Sequence, residues 1–302
     1  MQTRWGIDLG GTKIEGVVLG PGNHRQVLSR RRIATEAEGG YDHILHRIAG
    51  LVDALKAETG LAPEAIGIGT PGTLDPATQT LKNSNTLCLN GMPVRRDLEA
   101  ALGVPVRIAN DANCFALAEA RLGAAQARVP DAEVVFGVIM GTGVGGGLVV
   151  HNRVINGRQG IGGEWGHNFL HASGGPCYCG KTGCVEMVLA GPALERYYAG
   201  RSGTALKLPQ IVERYRQGGD PHAEDTIRRM IDFFGQAISV VINIADPDAI
   251  VIGGGVGNID LLYTEGVEAV RRHVFNNRLD TIFLKPLLGD SAGVFGAAML
   301  VG

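Results

Sequence analysis

No apolar run in this chain approaches the ~18 residues that a membrane-crossing helix needs, so none of it is expected to span a bilayer. The opening MQTRWGIDLGG has no apolar core preceded by positive charge, which argues against a secretory signal and for a cytoplasmic protein. Aromatic residues are scarce, at 5%. That is too few for the stacking platforms that hold single-stranded nucleic acid. Basic charge is also wanting: the net charge is −2, and the one basic run, Arg30-Arg31-Arg32, reads as a solvated face. Low-complexity and linker-like stretches are absent. No nucleic-acid or membrane partner is expected.

Cysteine is not used as a disulfide framework would use it. There are five, an odd count; three fall at 177, 179 and 184, while Cys88 and Cys114 stand apart. Without a secretory signal, that pattern favours a metal site. Glycine is the abundant residue, with 46 in 302 positions, about twice the usual ~7% share. Glycine plus proline still stays near ~20%, short of disordered compositions, so the excess marks tight turns and close backbone approach. The length, with 45% hydrophobic and 19% charged residues, allows two domains with well-buried cores.

The glycines are patterned. WGIDLGGTKIEGVVLG (5–20) and FGVIMGTGVGGGLVV (136–150) both read as strand, glycine turn, strand. Laid over each other, Trp5 falls on Phe136, Gly6 on Gly137, Gly10 on Gly141 and Gly16 on Gly147. Further strand-like runs stand at 65–69 and 106–109. Helical spacing recurs over 42–57, where Ile44, Leu45, Ile48, Leu51, Val52 and Leu55 share a face, and over 113–128 and 185–199. It is strongest over 223–244, through Ile227, Met230, Ile231, Phe234, Ile238 and Val241. DPDAIVIGGGV reads as turn, buried strand and glycine turn, and AGVFGAAML as a small-residue helix. Strands alternating with helices predict α/β architecture, and the repeated hairpin predicts two related domains.

Three stretches resemble phosphate loops. Gly141-Thr142-Gly143-Val144-Gly145-Gly146 fits the dinucleotide pattern, but that pattern needs a helix directly after the glycines, and GGLVVHNRV continues as strand. Gly175 to Thr182 fits the Walker pattern, but HNFLHASG is a poor strand and Pro176 has no N–H to offer phosphate. The repeated hairpin is the third. Gly10-Gly11-Thr12 and Gly141-Thr142-Gly143 each put glycine and a hydroxyl at a strand corner, where backbone N–H groups can reach phosphate oxygens. Two ordinary tight turns would look the same. Asp8, in a strand that should be buried beside the first turn, favours phosphate, because it is placed to hold Mg2+ directly or through water.

Asp111 ends RIAND just ahead of a helix. Local sequence leaves two readings open, a carboxylate capping the helix or a general base for an alcohol. Glu164, in GEWGH, has no apolar or helical reason to sit between Gly163 and Trp165, which makes it a candidate hydroxyl binder. Cys177, Cys179 and Cys184 with His167 upstream supply three thiolates and an imidazole, a set that suits structural, tetrahedral Zn2+.

DLGGTK, NDAN, GTGVGGG, GEWGH and CYCGKTGCVE, in this order and covering essentially the whole chain, resemble the ROK family of bacterial sugar kinases and sugar-responsive repressors. The resemblance implies a two-domain actin/hexokinase-like (ribonuclease H-like) α/β fold with ATP and sugar in the interdomain cleft. It implies a small domain of residues 1–112 plus 288–302, and a large one of 113–287 carrying the zinc loop. Gly10, Gly11, Thr12, Lys13, Gly141, Thr142 and Gly143 would hold the nucleotide phosphates, with Asp8 assisting Mg2+ and Gly254 and Gly255 near the adenosine. Asp111 aligns with the catalytic base. Asn110, Glu164, His167 and Glu186 align with sugar ligands, as do Gly72 and Asn85 in their loops. The family's zinc ligands match His167, Cys177, Cys179 and Cys184, so His167 would serve zinc through one ring nitrogen and sugar through the other.

The implied reaction is ATP-dependent phosphorylation of a hexose at O6. By likeness to manno(fructo)kinases the expected sugar is fructose; N-acetylglucosamine and glucose are the alternatives. A homodimer is implied as well. A repressor would carry a helix-turn-helix ahead of this region, and only seven residues precede Asp8.

Overall fold

A computed structural model describes residues 2–22 and 26–301. The first hairpin joins β1 (Arg4–Leu9) to β2 (Lys13–Leu19) through a turn closed by the Gly10 N–H on the Lys13 carbonyl, 2.9 Å. β2 continues antiparallel into β3 (Val27–Ala34). Helix α1 (Tyr41–Thr59) buries Ile44, Ile48, Leu51, Val52 and Leu55 on one stripe, and Gly60, at φ 66°, ends it. β4 (Ile66–Thr70) is wholly buried and parallel to β1. β5 (Thr73–Leu74) and β6 (Leu81–Lys82) form a small ribbon. Helix α2 (Val94–Leu102) then leads to β7 (Val106–Asn110), parallel to β4. The sheet order is β3-β2-β1-β4-β7.

The helical stretch expected over 113–128 is two helices, α3 (Asp111–Arg121) and α4 (Ala124–Arg128). The buried Glu119 carboxylate explains the break: it accepts the Ala124 N–H at 2.7 Å and so caps the second helix.

The second hairpin is β8 (Val134–Met140) and β9 (Val144–Val150), with β10 (Arg153–Val154) antiparallel to β9. After the cysteine loop come α5 (Val185–Leu189) and α6 (Gly191–Ser202), where the spacing predicts one helix over 185–199. Ala190 is extended and Pro192 lies in the first turn of α6; a proline there starts a helix but cannot continue one. Helix α7 (Leu208–Gln217) precedes α8 (Pro221–Ala245). Asp220 caps α8 by accepting the His222 and Ala223 N–H groups, and the six apolar residues picked out by helical spacing are all buried. β11 (Ala249–Gly253), α9 (Gly254–Gly257), α10 (Glu265–Arg271), β12 (Ile282–Leu284) and α11 (Ala292–Met299) complete the chain. β8, β11 and β12 are parallel, and the sheet order is β10-β9-β8-β11-β12. Both sheets therefore repeat one plan, an antiparallel hairpin followed by two parallel strands on the far side of its first strand.

The chain divides into two compact units, one of residues 1–128, 147–162 and 287–302, the other of 129–146 and 163–286. In the first, α11 lies so close to β4 and α3 that a Cβ on Gly67 would collide with the Ala297 carbonyl, and one on Gly296 with that of Cys114. The arginine run lies on the exposed face expected of it, and its members are paired. Arg30 and Arg32, on β3, both pair with Glu15 of β2, which is 1% exposed, and Arg31 pairs with Glu58. Among the described residues no helix is long and apolar enough to cross a membrane.

Candidate functional site

Open α/β sheets place ligands beyond the carboxyl ends of their parallel strands. In the first unit those ends belong to β1, β4 and β7, and every candidate residue of that unit lies on or after one of them. Asp8 is next to last in β1, in register with Gly69 of β4. Its carboxylate is half-buried, against Gly69 and Gly293. Burial, then the negative charges of Asp111 and Glu15, push its carboxyl up to about 6, while Lys13 and Arg32 pull the other way. Beyond it, Gly11 and Thr12 are exposed, and a Cβ on Gly11 would meet nothing nearer than the Thr86 hydroxyl at 3.6 Å. The Thr35 hydroxyl pins the corner by donating to the Gly10 carbonyl at 2.7 Å.

At the end of β7 the structure divides two roles. Asn110, extended at φ −64°, ψ 152°, is the residue that caps α3: its Oδ1 accepts the Ala112 N–H at 2.8 Å and the Asn113 N–H at 3.3 Å. Asp111 is the first residue of the helix, exposed, with Oδ1 on the Ala112 N–H at 2.8 Å. It opens to solvent yet is set deep among protein atoms, as a group in a concavity is. That desolvation raises its carboxyl, against hydrogen bonds from Ala112 and Asn110. The cap suggested by local sequence thus belongs to the neighbouring residue. Gly72, at φ 95°, packs so tightly against residues 82–84 that a Cβ would lie 2.5 Å from the Lys82 carbonyl. This brings the Gly72 loop against the one that carries the exposed Asn85.

In the second unit the corresponding ends are those of β8 and β11. The Gly141-Thr142-Gly143 turn is closed by the Gly141 N–H on the Gly143 carbonyl at 2.9 Å. Strand β9 follows it, not a helix. The Gly191 N–H donates to the Gly141 carbonyl at 2.8 Å, and Glu186 Oε2 accepts the Val144 N–H at 2.9 Å, so the starts of α5 and α6 are both tied to this turn. Gly254, at φ 83°, crosses the end of β8 too closely for any side chain, and Gly255 is exposed beside Gly141. Trp165 is buried, donates to the Gly145 carbonyl at 2.8 Å and meets Phe136 edge-on. It thereby anchors Glu164 and His167 next to the turn.

His167, Cys177, Cys179 and Cys184 converge, their ligand atoms all within 4.8 Å of one another. The Walker-like stretch is in fact this cysteine hairpin, in which Pro176 bridges to Thr182 and Gly180 and Gly183 adopt positive φ. Cys179 and Cys184 stand 3.6 Å apart, and Cys177 Sγ is 3.6 Å from His167 Nδ1. A disulfide needs about 2.05 Å. Thiolates around Zn2+, with Zn–S of about 2.3 Å, stand on a tetrahedral edge of about 3.8 Å, so the donor set and its spacing fit that ion. His167 Nε2 faces the Tyr178 hydroxyl at 2.9 Å.

Sequence reasoning passed over Tyr178 and Glu119. Tyr178 is flanked by two of the cysteines, which was the available signal. Glu119 was detectable only as an acidic residue in an alanine-rich helix. It is fully buried and holds the Leu287 and Leu288 N–H groups as well as that of Ala124.

Comparison with known proteins agrees with this geometry. N-acetyl-D-glucosamine kinase of Vibrio vulnificus (strain YJ016) is 35% identical over 307 residues, covering 98% of each chain. The crystal structure of a ROK hexokinase from Thermus thermophilus is similar with a TM-score of 0.88 at 34% identity, over 99% of this chain and 97% of that one. A ROK family glucokinase from Streptomyces griseus, in complex with glucose and AMPPNP, gives a TM-score of 0.77 at 31% identity over 99% of both chains. The ROK family model matches residues 4–302. With one sheet plan used twice, glycine turns at the strand ends and a Cys3His cluster in the second unit, the chain belongs to the ROK family and has its two-domain actin/hexokinase-like α/β fold.

Proposed function

We propose that this protein is an ATP-dependent sugar kinase with Asp111 as its general base. The observation that carries the reading is the division of labour at the end of β7. Asn110 satisfies the helix N-terminus, which leaves an exposed, desolvated Asp111 carboxylate to face a ligand. A sugar hydroxyl is a poor acid, and its attack on the γ-phosphorus needs a positioned acceptor for its proton. The raised proton affinity of Asp111 suits it to that task.

In this reading Gly10 and Gly141 close the two turns, and the N–H groups of Gly11, Thr12, Thr142 and Gly143 are left to hold the phosphate oxygens, with Lys13 adding positive charge. Gly254 and Gly255 leave room for the adenosine. Asp8 is the residue placed to hold Mg2+, which when bound spreads the negative charge of the phosphates. Glu164, His167 and Glu186, with Asn110, Gly72 and Asn85, are the sugar contacts. His167, Cys177, Cys179 and Cys184 would hold Zn2+, whose contribution is to fix the loop and the imidazole.

The expected sugar changes. Relatives similar over the whole chain are named N-acetyl-D-glucosamine kinase, which supports that sugar rather than fructose as the first candidate, phosphorylated at O6. A coupled ADP-release assay over N-acetylglucosamine, N-acetylmannosamine, glucose, mannose, fructose and allose, ranked by kcat/KM, tests this. N-acetylglucosamine is expected to rank first. Asp111→Asn is expected to lower kcat by about 10²–10⁴; an undiminished rate would remove the base assignment.

A further inference from the structure

We propose that Thr86 is a catalytic residue whose hydroxyl donates to the phosphoryl group as it passes from nucleotide to sugar. The inference rests on the kinase reading above and adds one donor to the Gly10–Thr12 corner.

The chain between β6 and α2 folds back on itself. The Leu81 N–H donates to the Met92 carbonyl at 2.9 Å, and the Gly91 N–H to the Leu81 carbonyl at 2.8 Å. Inside that closure Asn90 takes both backbone groups of Ser84, Oδ1 on its N–H and Nδ2 on its carbonyl, each at 2.9 Å. The Ser84 hydroxyl in turn accepts the Thr86 N–H at 3.1 Å. Thr86 is therefore fixed in place, and it is only 7% exposed. Its hydroxyl has no part in this. It does not cap the short turn Leu87–Leu89 that follows, and it makes no hydrogen bond among the described residues. The buried hydroxyls of Thr35 and Ser84, by contrast, are both paired. Nor is the Thr86 hydroxyl sealed in: the fully enclosed unpaired side-chain atom among the described residues is Asn113 Oδ1. Polar groups on nearly buried side chains are as a rule paired, so this one points to a partner that arrives with a ligand.

Gly11 shows where the hydroxyl is aimed. A Cβ on Gly11 would lie 3.6 Å from it and within 4 Å of nothing else. The hydroxyl thus overhangs the corner made by the exposed Gly11 and Thr12. In the sheet, β4 lies between β1 and β7. The segment that follows β4 therefore stands between the phosphate corner, after β1, and Asp111, after β7. Within it Asn85 is exposed, and the next residue faces the corner. A phosphoryl group bound for the oxygen that Asp111 deprotonates has to cross this interval. As the bond from phosphorus to ADP breaks and the bond to the sugar oxygen forms, the sugar's proton goes to Asp111 and Thr86 keeps its own. The equatorial oxygens in flight carry negative charge and only accept hydrogen bonds. Thr86 has an uncommitted hydrogen to give them. A donor already fixed at that point stabilises the transition state with no reorganisation at the moment of reaction.

Thr86→Val replaces the hydroxyl with a methyl group of the same shape, and Thr86→Ser keeps the hydroxyl. With no protein partner to lose, Thr86→Val should melt no lower than wild type. With the sugar that ranks first in the ADP-release assay, its kcat is expected to fall about 10–100-fold while the calorimetric sugar Kd stays within about 3-fold. Thr86→Ser should hold kcat within about 3-fold of wild type. A threonine that only shaped the loop would not separate kcat from Kd, and serine would not rescue it. A kcat loss in Thr86→Val smaller than about 10-fold, a serine variant as slow as the valine one, a sugar Kd weakened in proportion to kcat, or a lower melting temperature of Thr86→Val would each overturn the inference. A wild-type enzyme that phosphorylates no sugar would instead bring down the kinase reading on which it stands.

Discussion

Glu186 Oε2 accepts the Val144 N–H at 2.9 Å and stands 2.6 Å from the point that a Cβ on Gly143 would occupy. A carboxylate assigned to the sugar is thus keyed into the turn assigned to the nucleotide phosphates. Gly143 does not have positive φ, so alanine is conformationally acceptable there and acts through contact. Gly143→Ala should push Glu186 off the turn and raise KM for sugar and ATP together, each by roughly 10-fold or more, since displacements near 1 Å at such sites cost up to ~10²-fold. Initial-rate kinetics with each substrate varied in turn check this. A change in one KM only would show that the two functions are not joined here.

Asp8 sets stability against function. Its carboxyl stands at about 6 in the fold against 3.8 for the free side chain, so the folded state holds the proton more tightly than the unfolded one. The corresponding stabilisation is complete below about pH 4 and is lost as pH rises through 6. Asparagine keeps the shape and removes the titration. At pH 8, Asp8→Asn should be more stable than wild type by up to about 3 kcal/mol, the advantage shrinking by that amount below pH 4. Most kinase activity should be gone. Urea titrations at the two pH values measure the difference, and a variant less stable at pH 8 contradicts the account.

Removing metal should act on the sugar before the nucleotide. The Cys3His cluster positions His167, and Glu186 lies two residues after Cys184. Chelation is expected to lower the melting temperature and to weaken sugar binding by about 10–100-fold, the range seen when support around a metal site is lost. ATP-analogue binding should fall less. Calorimetry on protein with measured zinc content decides it; normal sugar affinity in zinc-free protein would be the contrary result.

The cap assignment makes a ranking. Asn110→Ala removes the acceptor of two N–H groups and should cost about 0.5–2 kcal/mol in chemical denaturation. Asp111→Ala, which loses one local bond and relieves a desolvated charge, should cost less stability while abolishing turnover. The reverse order of stabilities would return the cap to Asp111.

Much of this was readable from spacing. The apolar stripes of α1 and α8 fell where helical periodicity put them, because one amphipathic face is enough to place a helix on a sheet. Breaks were not readable. The stretch over 185–199 keeps helical composition through Ala190, and 113–128 keeps it through Leu122 and Gly123. What divides the second is a carboxylate one turn earlier, whose other partners, Leu287 and Leu288, are remote in the chain. The arginine run reads as surface and is surface; its pairing with Glu15 was not readable, because it arises only when β2 and β3 pair and register sets Arg32 opposite Glu15.

By itself the sequence determined the repeated hairpin, the glycine corners, the strand-end aspartate and the cysteine spacing, because each is a local pattern of dihedral freedom or ligand type. Only the tertiary structure decided which of Asn110 and Asp111 caps α3, that Glu186 reaches Val144, and that Tyr178 stands beside His167. Those are contacts between side chains and turns that chain folding brings together, and side-chain direction at such distances is set by packing, not by spacing along the chain.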